Sequence, residues 1–365
     1  MCYTHQVFNA SNVMNFYKTD DKPKFSAIYL TFYRHLWSTQ SLFGKQFRIT
    51  VDVKMKNKRP FSWFAWIVIG WNLMVILWGA YVRATGSGAG CGSHWPLCNG
   101  EVIPQNPHVH TLIEFAHRMM SGLALILVLA LVLWGRHVYA KGHPVRLGLW
   151  LSGIFIVVEA LLGAGLVLFE LTAQNASVAR AVAMAVHLAN TFILLASLTL
   201  TAAWASGLPP LRLKGQKHFP WLFLGLAGVI LIGMSGAVTA LGDTLFPAAS
   251  LRAGLEADRD PSTHFLIRLR VYHPLIATLV AGYSFFLIRR LINISDKQTR
   301  NLLITLGSIF ALQLIAGAVN VLLLAPIPMQ ILHLFLADIT WIVYILSAAK
   351  ILTQTTSKIF SSEVL

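Results

Sequence analysis

Four histidines, His117, His187, His273 and His333, each stand a few residues inside an even-numbered member of a series of eight hydrophobic segments. An imidazole surrounded by lipid costs free energy unless it has a partner, so an ionisable group inside a membrane span marks a functional site by default. One such histidine alone reads as an interhelical hydrogen bond. Four at matching positions read as two pairs of ligands. Helices facing each other across a four-helix bundle can each present an imidazole to a shared group, as bundle cofactor sites do. Haem iron accepts axial imidazoles. A flat porphyrin would fill the apolar interior, its propionates turned toward the outer surface.

The neighbours of the histidines are charged. Arg118 follows His117, and Arg268 and Arg270 precede His273 by five and three residues. Positions three apart share a helix face, so Arg270 can reach a propionate on the His273 side, and an arginine fork suits a carboxylate. The plainer reading of these arginines is snorkelling at the interface. Three residues before His117 stands Glu114, where the second half has Arg270. A carboxylate there can accept or shuttle a proton during chemistry; the plainer alternative is an ion pair with Arg118, four residues on. The pair His117 and His187 therefore reads as reactive, and the pair His273 and His333 as a holder. Glu159 and Asp338 also lie within apolar segments, each readable as a proton-path group or a packing residue.

These side chains need helices to position them. Of 365 residues, 56% are hydrophobic and 12% charged, against about 25% charged in a soluble domain. Runs of roughly 20 apolar residues mark transmembrane helices. Eight occur, near 62–82, 113–134, 147–169, 182–204, 219–241, 266–288, 301–324 and 329–349. The net charge of +15 is a topology signal rather than a nucleic-acid footprint. One set of loops and termini carries 22 Lys and Arg, the other set four. The positive-inside rule then places both termini in the cytoplasm, with the basic excess against anionic headgroups. The first apolar run starts near Phe61, too late for a cleavable signal peptide. Residues 1–60 read as a poorly ordered cytoplasmic extension with both signs of charge, unlike an acidic-poor transit peptide. Met55, just before Lys56-Asn-Lys-Arg59, reads as an alternative start.

The membrane part is an internal duplication. Glu159 to Ala164 in segment 3 parallels Gln313 to Ala318 in segment 7, and His187-Leu188 parallels His333-Leu334. The offsets are 156 for His117 and His273 and 146 for His187 and His333. A unit with an even number of helices repeats in the same orientation, about an axis along the membrane normal. The expected fold is all-α and integral to the membrane: eight transmembrane helices as two parallel-repeat four-helix bundles, both termini cytoplasmic. The halves are 61–205 and 206–350, followed by a cytoplasmic tail, 351–365. Gly163, Gly165, Gly282 and Gly317 read as packing positions for close helices.

Three cysteines occur. Cys2 is in the N-terminal extension. Cys91 and Cys98 share the first outer loop, where the compartment permits a disulfide or a redox-active dithiol. Zinc is the weaker alternative, since His94 supplies a third ligand and nothing supplies a fourth.

The stretches Gly86-Ser-Gly-Ala-Gly-Cys91, Trp95-Pro-Leu-Cys98-Asn-Gly100 and Glu114-Phe-Ala-His117-Arg118, with the duplicated four-helix unit, resemble the haem A synthase family over about 60–350. The resemblance implies an oxidoreductase of the bacterial cytoplasmic membrane that converts the C8 methyl of haem O to a formyl group. Two hydroxylations would give a geminal diol that loses water. It implies haem O as substrate between His117 and His187 beside Glu114, and a haem b cofactor between His273 and His333 relaying electrons. It implies a Cys91–Cys98 disulfide, structural or redox. It implies service to haem-copper oxidases, an electron acceptor, and haem O synthase and oxidase assembly factors as partners, with a homo-oligomer left open. Two features depart from the family. His94 stands where the family often has an acidic residue, and residues 1–60 match nothing in it. A di-haem b electron carrier linked to quinone would use the same histidines without Glu114. A transporter with parallel repeats is disfavoured, because the ionisable groups cluster at one depth.

Overall fold

A computed structural model describes residues 58–353. The readings placed on Cys2, on Met55 and on most of the two terminal segments lie outside the described residues.

The long helices are α1 (Lys58–Ala84), α2 (Val109–Val138), α3 (Pro144–Leu168), α4 (Val178–Ala205) and α5 (Phe219–Leu245). A short helix α6 (Leu251–Arg259) and a single turn α7 (Phe265–Arg268) follow. The described residues end with α8 (Tyr272–Ile292), α9 (Lys297–Leu322) and α10 (Ile327–Thr353). Among the described residues the only β pairing is an isolated bridge between Cys98 and Glu101. Among the described residues eight spans are long and apolar enough to cross a membrane, counting Phe265–Ile292 as one. At 1.5 Å per residue a 27-residue helix is about 40 Å long, against about 30 Å of hydrocarbon. Each helix therefore overruns its apolar run, and the overhangs carry Lys58, His137, Lys297 and Lys350.

Local chemistry sets several ends. The Ser177 and Asp296 side chains accept from the backbone N–H of Arg180 and Thr299 and cap α4 and α9. Pro144 opens α3, where its missing N–H goes unneeded. The sixth span is interrupted: α7 passes through a 3₁₀ turn, Leu269–Val271, before α8 begins at Tyr272. Pro274 explains the break. Inside a continuous helix its ring would meet the carbonyl of residue 270 and its nitrogen could not donate. The apolar run conceals this interruption, and it conceals α6, which is polar and capped by Ser250.

Helices α1 to α4 close on one another in sequence, α4 returning to α1; α5, α8, α9 and α10 do the same. Contacts of α4 with α5 and α10, and of α10 with α1, join the two sets. Phe192 and Trp341 stack at this junction, and the Trp341 indole N–H donates to Phe192 O at 2.6 Å. Lipid tails are as apolar as leucine, so close fit rather than apolar burial drives such packing. A Cβ at Gly148 of α3 would collide with Thr201 of α4. Outward positions such as Trp63, Leu133, Leu161 and Leu279 are exposed, as lipid-facing residues are.

Candidate functional site

The tertiary structure sets His273, in the first turn of α8, opposite His333 of α10. Their ring centres are 6.3 Å apart and the ring planes nearly perpendicular, at 89°. A metal–imidazole bond is about 2 Å long, so two imidazoles on opposite sides of one iron have centres about 6 Å apart. Each ring has a prepared seat. The His273 Nδ1 lies 3.1 Å from Ser235 Oγ of α5, and a Cβ at Gly236 would come within 3.0 Å of its Cε1. Gln313 of α9 donates its amide to the His333 carbonyl at 3.0 Å, and Gly317 leaves the same 3.0 Å clearance for the His333 ring.

His117 of α2 rests against Gly79 of α1, where a Cβ would stand 2.9 Å from its Cε1. His187 of α4 is seated differently. Its Nδ1 lies 3.6 Å from Glu159 Oε1 of α3. The Nδ1 atoms of His117, His187 and His333 are all buried without a hydrogen-bond partner, a condition that buried polar groups rarely tolerate. Among the described residues no three His, Cys, Asp or Glu side chains gather around one point. Paired imidazoles without further protein donors fit a group that brings its equatorial ligands with it, and a porphyrin does.

Cys91 and Cys98 form a disulfide, which settles the choice left open between dithiol, zinc and disulfide. The loop it closes is fastened to the start of α2. Glu114 is 3% exposed; its Oε2 accepts the Cys91 N–H at 2.9 Å and its Oε1 takes the Arg118 guanidinium at 2.6 Å. Arg118 continues to the carbonyls of His94 and Leu97. The Thr111 hydroxyl donates to Gly90 O at 2.8 Å, and a Cβ at Gly90 would strike the backbone of His110. The ion pair weighed for Glu114 is thus present, and the carboxylate also carries the loop, one turn above His117.

Arg270 is engaged on every side. It pairs with Asp243 at 3.1 Å and with Asp258 of α6 at 2.9 Å. Arg268 is exposed. Composition and spacing do not single out Arg83, Asp243, Asp258, Asn190 or Thr191, because their roles depend on which helices meet. Arg83 of α1 donates to Ala240 O and Thr244 Oγ1 of α5 at 2.6 Å and to Gln330 Oε1 of α10 at 2.8 Å. Asp338 of α10 is fully buried with neither carboxyl oxygen hydrogen-bonded.

The family model described as COX15-CtaA, cytochrome oxidase assembly protein, matches residues 62–345, reaching from the first span into the eighth. The chain belongs to this family. A relative from Exiguobacterium sibiricum named heme A synthase is 29% identical over 283 residues, covering 76% of this chain and 91% of the relative. A second heme A synthase, from Halalkalibacterium halodurans, is 38% identical over 139 residues, 38% of this chain and 44% of that protein. A protein from Thermus thermophilus named protoheme IX farnesyltransferase is 53% identical over 298 residues, 81% of this chain. The match spans about half of the Thermus protein's length, 49%.

Proposed function

We propose that the protein is a haem A synthase that oxidises the C8 methyl of haem O to a formyl group. The observation that carries this reading is the inequality of the two histidine pairs. Glu114 stands one helical turn from His117 and Glu159 lies beside His187, whereas the neutral Ser235 and Gln313 contact His273 and His333. Carboxylates suit a pair that handles substrate, since oxidation of a methyl releases protons that a nearby base must take. Neutral hydrogen-bonding groups suit a pair that only holds its ligand.

In this reading the chain is two parallel repeats, α1–α4 and α5–α10, with both termini in the cytoplasm of a bacterium and the sites near the outer face. The closed helix sets and the basic inner loops support it. His117 and His187 bind the substrate iron and fix the ring between α2 and α4. Glu114 holds the disulfide loop over that site and can accept a proton there. The methyl passes through a hydroxymethyl group and a geminal diol, each step taking an oxygen atom from water and giving up two electrons and two protons, and the diol loses water to the aldehyde. His273 and His333 would hold a haem b, which supplies electron relay when bound. Arg268, exposed beside the second site, suits a propionate; Arg270 can turn to one only by leaving Asp243 or Asp258.

The name of the Thermus relative, protoheme IX farnesyltransferase, and its extra length support a link to the farnesyl transfer that supplies haem O, and the family description supports delivery of product toward cytochrome oxidase assembly. A separate electron acceptor completes the reaction. The test is extraction and chromatography of bound porphyrins after expression with and without a haem O source. Haem B with haem O, hydroxylated haem and haem A is the expected set. Haem B alone in both conditions would point to the di-haem electron carrier instead.

A further inference from the structure

Glu159 is closely held. It projects from α3 toward one face of α4, where His187, Asn190 and Thr191 follow one another. The Asn190 amide and the Thr191 hydroxyl both donate to its carboxylate, and Asn190 also donates to Phe155 O of α3 at 3.0 Å. The carboxylate is thereby aimed, with Oε1 3.6 Å from His187 Nδ1. That nitrogen is buried and has no hydrogen-bond partner. The gap is too long for a hydrogen bond, and a small rotation of the imidazole closes it.

The second half is built differently at the same place. Gln313 stands where Glu159 does; its neutral amide donates to the His333 backbone carbonyl at 3.0 Å and lies 3.4 Å from His333 Nε2, so no carboxylate meets that ring. The His333 ring lies against Gly317, four residues after Gln313; Gly163, four residues after Glu159, has open space beside it. One histidine rests on a glycine, the other beside a carboxylate.

A histidine that binds metal through one ring nitrogen is usually held through the other by a carboxylate or carbonyl, which fixes tautomer and ring plane and strengthens the imidazole as a donor. The geometry points to Glu159 as the positioning residue of His187, its carboxylate accepting the Nδ1–H so that Nε2 faces the iron of the substrate porphyrin. It rests on the proposed function in assigning His187 to an iron. The axial imidazole of the first half is then the more electron-rich, and the ferric state there is favoured over what an amide at position 159 would allow.

The test uses the full-length protein purified with haem in both halves, by redox titration and low-temperature electron paramagnetic resonance. His273→Ala, which removes the second haem, assigns the signals. Glu159→Gln is expected to raise the midpoint potential of the first-half haem and shift its low-spin resonances, with the second-half haem unchanged. Haem retention in the first half falls by about 10- to 100-fold, and Glu159→Asp restores part of it. Gln313→Glu is expected to lower the potential of the second-half haem. Unchanged potential and resonances in Glu159→Gln, with both haems bound, overturn the inference alone. If Glu159→Gln does not fold, an unchanged second-half potential in Gln313→Glu overturns it. Wild-type protein lacking a histidine-ligated haem in its first half overturns both the inference and the proposed function.

Discussion

Glu114 serves two donors at once, a buried guanidinium and the amide of a disulfide cysteine, so its charge holds the outer loop. Glu114→Gln is expected to abolish haem O conversion while the second haem is retained, read from extracted porphyrins. It also leaves the Arg118 guanidinium, 9% exposed, without its counter-ion, and breaking a buried pair this way costs about 3–5 kcal/mol. A lowered thermal midpoint should accompany the lost activity, and full conversion in this variant would remove Glu114 from the chemistry. Asp338 presents the opposite case. Its carboxyl is buried with no hydrogen-bond partner, a state worth about 1–3 kcal/mol of destabilisation. Asp338→Leu is expected to raise the unfolding midpoint in detergent by a corresponding amount; a fall would show that the carboxyl has a functional or structural partner.

At the scale of elements, glycines on one helix make room for imidazoles on the next. Gly79, Gly236 and Gly317 each face a ring at a distance that leaves no space for a methyl group. Gly317→Ala should displace His333 and lower second-half haem affinity by about 10-fold or more, since groups that orient a ligand carry effects of that size. Gly163→Ala, beside open space, is expected to leave haem content unchanged. Haem per polypeptide, measured on both variants, separates this account from a general intolerance of larger side chains: equal loss in both would refute it. The eight spans themselves are readable from composition, because each helix must satisfy lipid by its own apolar run. The break before His273 is not, because Pro274 leaves the run of apolar residues uninterrupted and alters only its backbone.

Across the whole molecule, Arg83 ties α1 to both α5 and α10. Hydrogen bonds from a charged donor contribute about 1.5–3 kcal/mol each, so Arg83→Ala should lower stability by a few kcal/mol, read from detergent unfolding, and weaken the seam between the two sets of helices. An unchanged midpoint would show the seam to be held by packing alone. Orientation is open to a direct check. Single cysteines at Lys214 and Asp260, in a background lacking the native thiols, should be labelled from opposite faces of sealed vesicles, Asp260→Cys from the outside. Labelling from one common face would overturn the arrangement of two repeats in the same orientation.

Apolar runs were enough to determine the number of spans, and loop charges and four matching histidines to propose their orientation and two ligand pairs, because a membrane tests each helix locally and penalises every unpaired ionisable group. Glu114, His117 and Arg270 could be picked out by spacing along one helix. The partners across helices could not. Which glycine seats which imidazole, that Asp258 of a short polar helix holds Arg270, and that Glu159 rather than a glycine lies beside His187 all depend on the rotation and depth at which helices pack. Those are set by the interlocking of side chains from several helices at once, and only the tertiary structure decided them.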